Sequence, residues 1–199
     1  MEHEKNRYEG NQPYSDPRKW VRLSAEDLES QYINASVIWK ALFQTVIATQ
    51  APLKSTETDF WKMVWEKGSS LIINLCSSKD IELKKCTTYW PLPNQPRTVK
   101  LGPKTSITIS LKKQVEETQH LFRWTFKLKQ TDYDNLHTVK MIHFTGWPDH
   151  SVPSEASFFD FYEVVKELGK HYLSKSQKPV IIHCSAGLGR TGTLILSSL

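Results

Sequence analysis

The sequence predicts an α/β domain, a twisted mixed β-sheet flanked by helices, in which a Cys-x5-Arg turn joins a central strand to a helix N-terminus. Three observations carry that prediction. Some apolar runs alternate with polar residues, as half-exposed antiparallel strands do, while others are continuous and suit strands buried on both faces. Two segments repeat aromatic residues at helical spacing. Near the C-terminus an apolar run passes through small residues and glycines straight into another helical pattern.

Taken in order, the first thirty residues are polar and turn-rich (Asn11, Pro13, Ser15, Asp16, Pro17) and read as loop lying over a core. Strands are expected at Tyr32–Ile38, Phe43–Thr49, Leu71–Leu75, Ser106–Leu111, Leu121–Leu128, Thr138–Phe144 and Pro179–His183. Ser106–Leu111 and Leu121–Leu128 alternate, whereas LIINL and VII are continuous. A helix over Thr56–Lys67 puts Phe60, Trp61, Val64 and Trp65 on one stripe, with Thr56 or Thr58 as N-cap and Gly68 at its end. A second, over Pro153–Leu168, spaces Phe158, Phe161, Val165 and Leu168 between a Ser154 start and Gly169. Both stripes read as core. A third helix begins near Gly189 or Arg190, because Thr191–Leu199 contains Leu194, Ile195 and Leu196.

Composition narrows the class. At 199 residues the chain suits one domain, and seven Trp, seven Tyr and eight Phe supply enough bulky surface for a core, which excludes disorder. No run approaches the ~18–20 apolar residues that span a membrane, and the charged start MEHEKNRYEG lacks the apolar stretch of a secretory leader. The net charge of +5 favours anionic partners, but the basic residues are scattered, so nucleic acid is not an expected partner. Cys76, Cys86 and Cys184 are odd in number and widely spaced, which suggests neither a disulfide framework nor a metal site. A reducing, cytoplasmic setting is expected, within a longer protein or alone.

The chemistry concentrates in Val180–Thr193, VIIHCSAGLGRTGT. Glycines let backbone N–H groups from Ser185 to Arg190 turn inward, and the helix N-terminus adds positive potential at the same spot: a phosphate-binding loop. A guanidinium six residues after the cysteine can curl back and grip an oxyanion bidentately. The same field favours the thiolate of Cys184, and the Thr191 hydroxyl is placed to donate to its sulfur. A thiolate beneath a tetrahedral oxyanion pocket can attack phosphorus. The nucleotide-binding loop GxxxxGK[ST] is a poor match, since a Cys/Arg pair replaces its lysine.

HCSAGLGRTG resembles the signature loop of the classical, phosphotyrosine-specific protein tyrosine phosphatases. KNRY (Lys5–Tyr8), YINAS (Tyr32–Ser36), TQAP (Thr49–Pro52), DFW (Asp59–Trp61), KCxxYWP (Lys85–Pro91) and WPDHSVP (Trp147–Pro153) resemble that family's landmarks in the same order. The resemblance implies Cys184 as nucleophile, Arg190 as phosphate ligand and Asp149 as general acid on a movable loop anchored by Trp147. It further implies a substrate pocket made by Tyr8, Lys85, Ser185, Ala186, Gly187, Leu188, Gly189 and Arg190, supported by His183 and Thr191. Tyr8 would stack on the phosphotyrosine ring and make the pocket deep, while Gly10 stands where many members carry an acidic residue. Asp80 or Glu82 would support the arginine. Phosphotyrosine-containing proteins are the implied substrates, with neither metal nor cofactor. The family's glutamine loop and further helices have no counterpart here, so residues 1–199 are expected to form one incomplete catalytic domain, shortened at both ends. The rival expectation is a catalytically impaired domain that traps phosphotyrosine; a lipid or RNA phosphatase is disfavoured by KNRY and the other landmarks.

Overall fold

The structure, a computed structural model, describes residues 4–13, 16–25, 28–39, 45–131, 134–173 and 178–197. In chain order these form β1 (Trp20–Arg22), α1 (Leu28–Gln31), β2 (Tyr32–Trp39), β3 (Thr45–Gln50), α2 (Glu57–Glu66), β4 (Leu71–Asn74) and α3 (Ser78–Glu82). There follow β5 (Arg97–Lys100), β6 (Ser106–Thr118), β7 (Leu121–Gln130), β8 (Leu136–Phe144), α4 (Glu155–Leu173), β9 (Val180–Cys184) and α5 (Gly189–Ser197).

The described strands make one mixed sheet in the order β1-β2-β3-β9-β4-β8-β7-β6-β5. β9 runs parallel to both β3 and β4, and β4 parallel to β8, while the outer pairs are antiparallel. Every residue of β4 and β9 is buried, as central parallel strands require and as their continuous apolar runs suggest. β6 extends well past the expected Leu111, because its hairpin with β7 continues through irregularities at Leu111/Lys113 and Glu116/Thr118. The first thirty residues are not all loop: β1 pairs with β2, a three-residue edge strand too short to show a period. The expected beginning of a strand at Phe43 lies outside the described residues, as do Ser15 and Leu199.

Successive strand residues face opposite sides of the sheet, which divides the core in two. Ile47, Ile72 and Ile181 join Phe60, Trp61, Met63 and Val64 of α2 on one face. Val46, Leu71, Ile73, Val180 and Ile182 join Phe161, Val165 and Leu168 of α4 and Leu194 and Ile195 of α5 on the other. Phe144 and Phe161 stack at 4.6 Å, fixing α4 against the end of β8. α2 ends where Gly68 takes φ +64°, with Gly68 N–H donating to Trp65 O and Ser69 N–H to Val64 O, a glycine-closed helix end. At its start Thr56 is the N-cap by position, but its hydroxyl accepts from Leu53 N–H instead of capping α2. No helix among the described residues is long and apolar enough to cross a membrane.

This topology sets the position of the site. In open α/β sheets, the crevice beyond the carboxyl ends of parallel strands is where ligands are held. β9, between β3 and β4, delivers Cys184 to that edge, and α5 begins five residues later at Gly189.

Candidate active site

The turn from Cys184 to Arg190 is held from both sides. Leu75 N–H donates to His183 O at 2.9 Å, and Ala51 N–H to Ser185 O at 3.0 Å. Gly187 takes φ +76°, and a Cβ there would come within 2.4 Å of the Thr49 carbonyl carbon and oxygen. The loop can therefore fold tightly over β3 only with glycine at that position. Cys184, Ser185, Ala186, Gly189 and Arg190 line a cavity of about 680 Å³; the Leu188 side chain turns to solvent, 55% exposed.

Arg190 is buried, and most of its fork is already committed. Nη1 donates to Asp80 Oδ2 (2.6 Å), Leu75 O (3.0 Å) and Trp147 O (3.1 Å); Nη2 donates to Asp80 Oδ1 (3.3 Å) and Asp149 Oδ1 (3.4 Å). Nε has no partner among the described residues, so Nε and the weakly engaged Nη2 remain for an oxyanion. Burial works against the guanidinium's charge, but the Asp80 carboxylate more than offsets it and raises the pKa. Burial likewise opposes ionisation of Asp80, yet bonds from Arg190 and Ser77 leave its pKa below the usual carboxylate value. The choice between Asp80 and Glu82 is thus decided: Glu82 is exposed, while Asp80 faces inward from a capping box with Ser77. The Asp80 carbonyl also accepts from Lys85 N–H at 2.7 Å, coupling the arginine's support to the lysine's loop.

Across the cavity Lys85 Nζ lies 2.7 Å from Asp149 Oδ2. This hydrogen bond, with further help from Arg190 and His150, holds the Asp149 carboxyl below its ordinary pKa despite partial burial. Trp147 is buried against Phe158 (5.5 Å, edge-on) and its Nε1 donates to Ser151 O at 3.0 Å, anchoring the loop that carries Asp149. Tyr8 forms a wall, with its hydroxyl 2.7 Å from Ser185 Oγ. Arg7 fixes that wall by donating to Ala51 O, Pro52 O and Lys84 O, and Gln50 Oε1 accepts from Arg7 N–H.

His183 does not reach the cavity. Its ring is fully buried behind Cys184, with Nδ1 3.4 Å from Cys184 O and Nε2 2.7 Å from Tyr89 OH. The Tyr89 hydroxyl also lies 3.4 Å from Met141 Sδ, and Cys76 Sγ lies 4.0 Å from Nδ1, so the ring is enclosed on both nitrogens. The expected bond from Thr191 to the sulfur is not formed. Thr191 lies in the first turn of α5 with its stiff, branched side chain packed inward, and Oγ1 is without a partner among the described residues. Cys76 and Cys86 are buried core residues, and burial pushes the Cys76 thiol's pKa up.

Residues 2–199 match the family described as Protein-tyrosine phosphatase. The chain belongs to that family. Among its relatives, Tyrosine-protein phosphatase non-receptor type 4 of Homo sapiens is 32% identical over 191 residues, covering 96% of this chain and 20% of that protein. Phosphatidylinositol phosphatase PTPRQ of Homo sapiens is 37% identical over 194 residues, covering 96% of this chain and 8% of that protein. A solved structure of PTPN18, described as the structural basis of its fingerprint on distinct HER2 tyrosine phosphorylation sites, superposes with a TM-score of 0.82. It is 31% identical and covers 98% of this chain and 66% of the other. The chain thus spans a fifth or less of the length of these two relatives.

In this tyrosine-phosphatase fold Cys184, Arg190, Asp149, Lys85, Tyr8 and Trp147 converge on one cavity, while His183 and Thr191 sit behind its walls. Arg7, Gln50 and Tyr89 were not anticipated individually, although KNRY, TQAP and KCxxYWP contain them. The loop's dependence on Gly187 gives a first prediction. Gly187→Ala combines a positive φ with a backbone clash, so affinity for inorganic phosphate should fall about 10- to 100-fold with the fold retained. Calorimetric titration with phosphate, alongside circular dichroism, measures both; unchanged affinity would contradict the close approach to Thr49.

Proposed function

We propose that residues 1–199 form a single catalytic domain that hydrolyses phosphotyrosine in proteins through a cysteinyl-phosphate intermediate. The observation that carries this reading is Cys184 in a cavity with Arg190 and Asp149 at its walls. Arg190 Nε and Nη2 and the loop amides hold the phosphate dianion, and the Cys184 thiolate attacks phosphorus in line. As the S–P bond forms, the P–O bond to the tyrosyl oxygen breaks, and Asp149 donates its proton to that oxygen. Water then attacks phosphorus with Asp149 taking its proton, the S–P bond breaks, and inorganic phosphate leaves with the thiolate restored.

Asp149 begins ionised, held by Lys85 and Arg190. An arriving dianion competes for both cations and repels the carboxylate, which raises its proton affinity when an acid is needed. The Tyr8 wall favours a long aryl phosphate over the short side chains of phosphoserine and phosphothreonine. Three free cysteines suit a reducing, cytoplasmic location.

A steady-state assay with 4-nitrophenyl phosphate and a phosphotyrosine peptide tests the proposal. Sustained turnover that prefers the phosphotyrosine peptide over phosphoserine peptides and phosphoinositides is expected. A single-equivalent burst followed by stalling would instead mean a trapping module, and a preference for phosphoinositides would mean a lipid phosphatase.

A further inference from the structure

Away from the active site, the outer part of the sheet carries a second concave surface. On β6, β7 and β8 the residues Ile107, Ile109, Phe126, Leu128 and Val139 face the core, so the alternate positions face outward. Thr108, Ser110, Lys112, Lys127, Lys129 and Leu136 frame a groove of about 440 Å³ there. Thr108 stands opposite Lys129, and Ser110 opposite Lys127, so hydroxyls and ammonium groups alternate across the two strands. Lys129 has an ion-pair partner 3.5 Å away in Asp134, whose side chain is fully exposed; Lys112 and Lys127 pair with no carboxylate among the described residues.

We propose that this groove docks an extended acidic segment of the phosphoprotein substrate, a site distinct from the phosphate cavity and resting on the proposed phosphatase activity. Charge complementarity selects the occupant: three lysines meet one exposed carboxylate. Lys127 and Lys129 are two residues apart on one strand, about 6.6–6.8 Å, the same interval at which an extended peptide repeats side chains on one side. Hydroxyls between them can bond the peptide's polar groups. A flat membrane surface fits less well, since the face is concave and Leu136 is the exposed apolar residue on its rim.

Position sets the geometry of the partner. β8 runs parallel to β9, so its beginning at Leu136 lies at the end of the sheet opposite Cys184, eight residue steps from Phe144, or about 26 Å. β7 is three strand spacings from β9, adding about 14 Å sideways. An acidic segment can therefore reach the groove only across a spacer of roughly ten or more residues from the phosphotyrosine.

The test compares phosphotyrosine peptides that carry a short glutamate tail after a spacer of about 12 or about 3 residues, each against a neutral tail. At ~50 mM salt the long-spacer acidic peptide should show a KM about tenfold lower, with kcat unchanged, and lose that gain at ~300 mM salt. Lys112→Glu combined with Lys127→Glu should abolish the gain and leave turnover of 4-nitrophenyl phosphate intact. Fluorescence anisotropy with the unphosphorylated acidic peptide reads docking even if turnover fails, which separates this proposal from the catalytic one. A gain that survives the charge reversal, or an equal gain with the short spacer, would overturn the site. So would binding of phosphatidylserine vesicles through these lysines without binding of the peptide.

Discussion

Serine at position 184 is expected to lower kcat for a phosphotyrosine peptide by roughly 10⁴-fold or more while leaving peptide affinity within a few-fold. The side chain is 3% exposed in the cavity wall, and exchanging sulfur for oxygen changes its volume little, so the loop should keep its shape. What is lost is the nucleophile, because a serine hydroxyl keeps its proton far more tightly than a thiol does. The bonds that hold the loop and Arg190 come from Leu75, Asp80, Ala51 and Trp147, none of which involves the thiol. Phosphate-release kinetics, calorimetric binding of the phosphopeptide and a thermal melt on Cys184→Ser give the three readouts. Turnover within tenfold of the parent chain would remove Cys184 from the mechanism. Loss of binding together with turnover would mean that the thiol shapes the loop as well.

Legibility in the sequence followed the strength of local pattern. β4 and β9 were readable because central parallel strands are apolar throughout, and α2 and α4 because their aromatic stripes repeat at helical period. β1, β5, α1 and α3 span three to five residues each, less than two turns of helix or enough strand to show alternation. The Cys184–Arg190 loop was legible for a different reason, since cysteine, glycines, arginine and threonine fall within one short register. Asp80 and Glu82 could not be separated from sequence because they lie on one five-residue helix whose inward face only packing decides. Lys85 and Asp149 are 64 residues apart, and Tyr89 and His183 are 94 apart; such pairs exist only once the sheet has brought their strands together. The Thr191 expectation failed because its buried hydroxyl meets no partner among the described residues, a detail that spacing does not encode.

Two buried histidines, His143 and the His183 that backs Cys184, should make the protein lose stability as the pH falls below 6.5. Burial lowers the His143 pKa from 6.5 to about 4 and that of His183 from 6.5 to about 3, despite backbone bonds to Cys76 O and Cys184 O that work the other way. Both rings are therefore neutral in the folded state at pH 7. Once the chain unfolds, each takes up a proton below pH 6.5, so the unfolded state binds more protons throughout the window from 6.5 down to about 4 and 3. Stability is complete above pH 6.5 and falls with pH through that window. Near pH 5 unfolding should take up almost two protons, and by pH 4 the accumulated loss is roughly 6 kcal/mol, comparable with the whole stability of a typical domain. Asp80 and Asp149, whose pKa values lie below 3.8, add their own loss only at lower pH and do not confuse the reading. Urea unfolding at half-unit intervals from pH 7.5 to 4.5 measures the slope. His143→Gln keeps an N–H donor for Cys76 O and should reduce the uptake to about one proton. A flat profile over this range would mean that both rings are protonated inside the fold, and the His183 charge would then lie directly behind Cys184 and alter the electrostatics assigned to the loop.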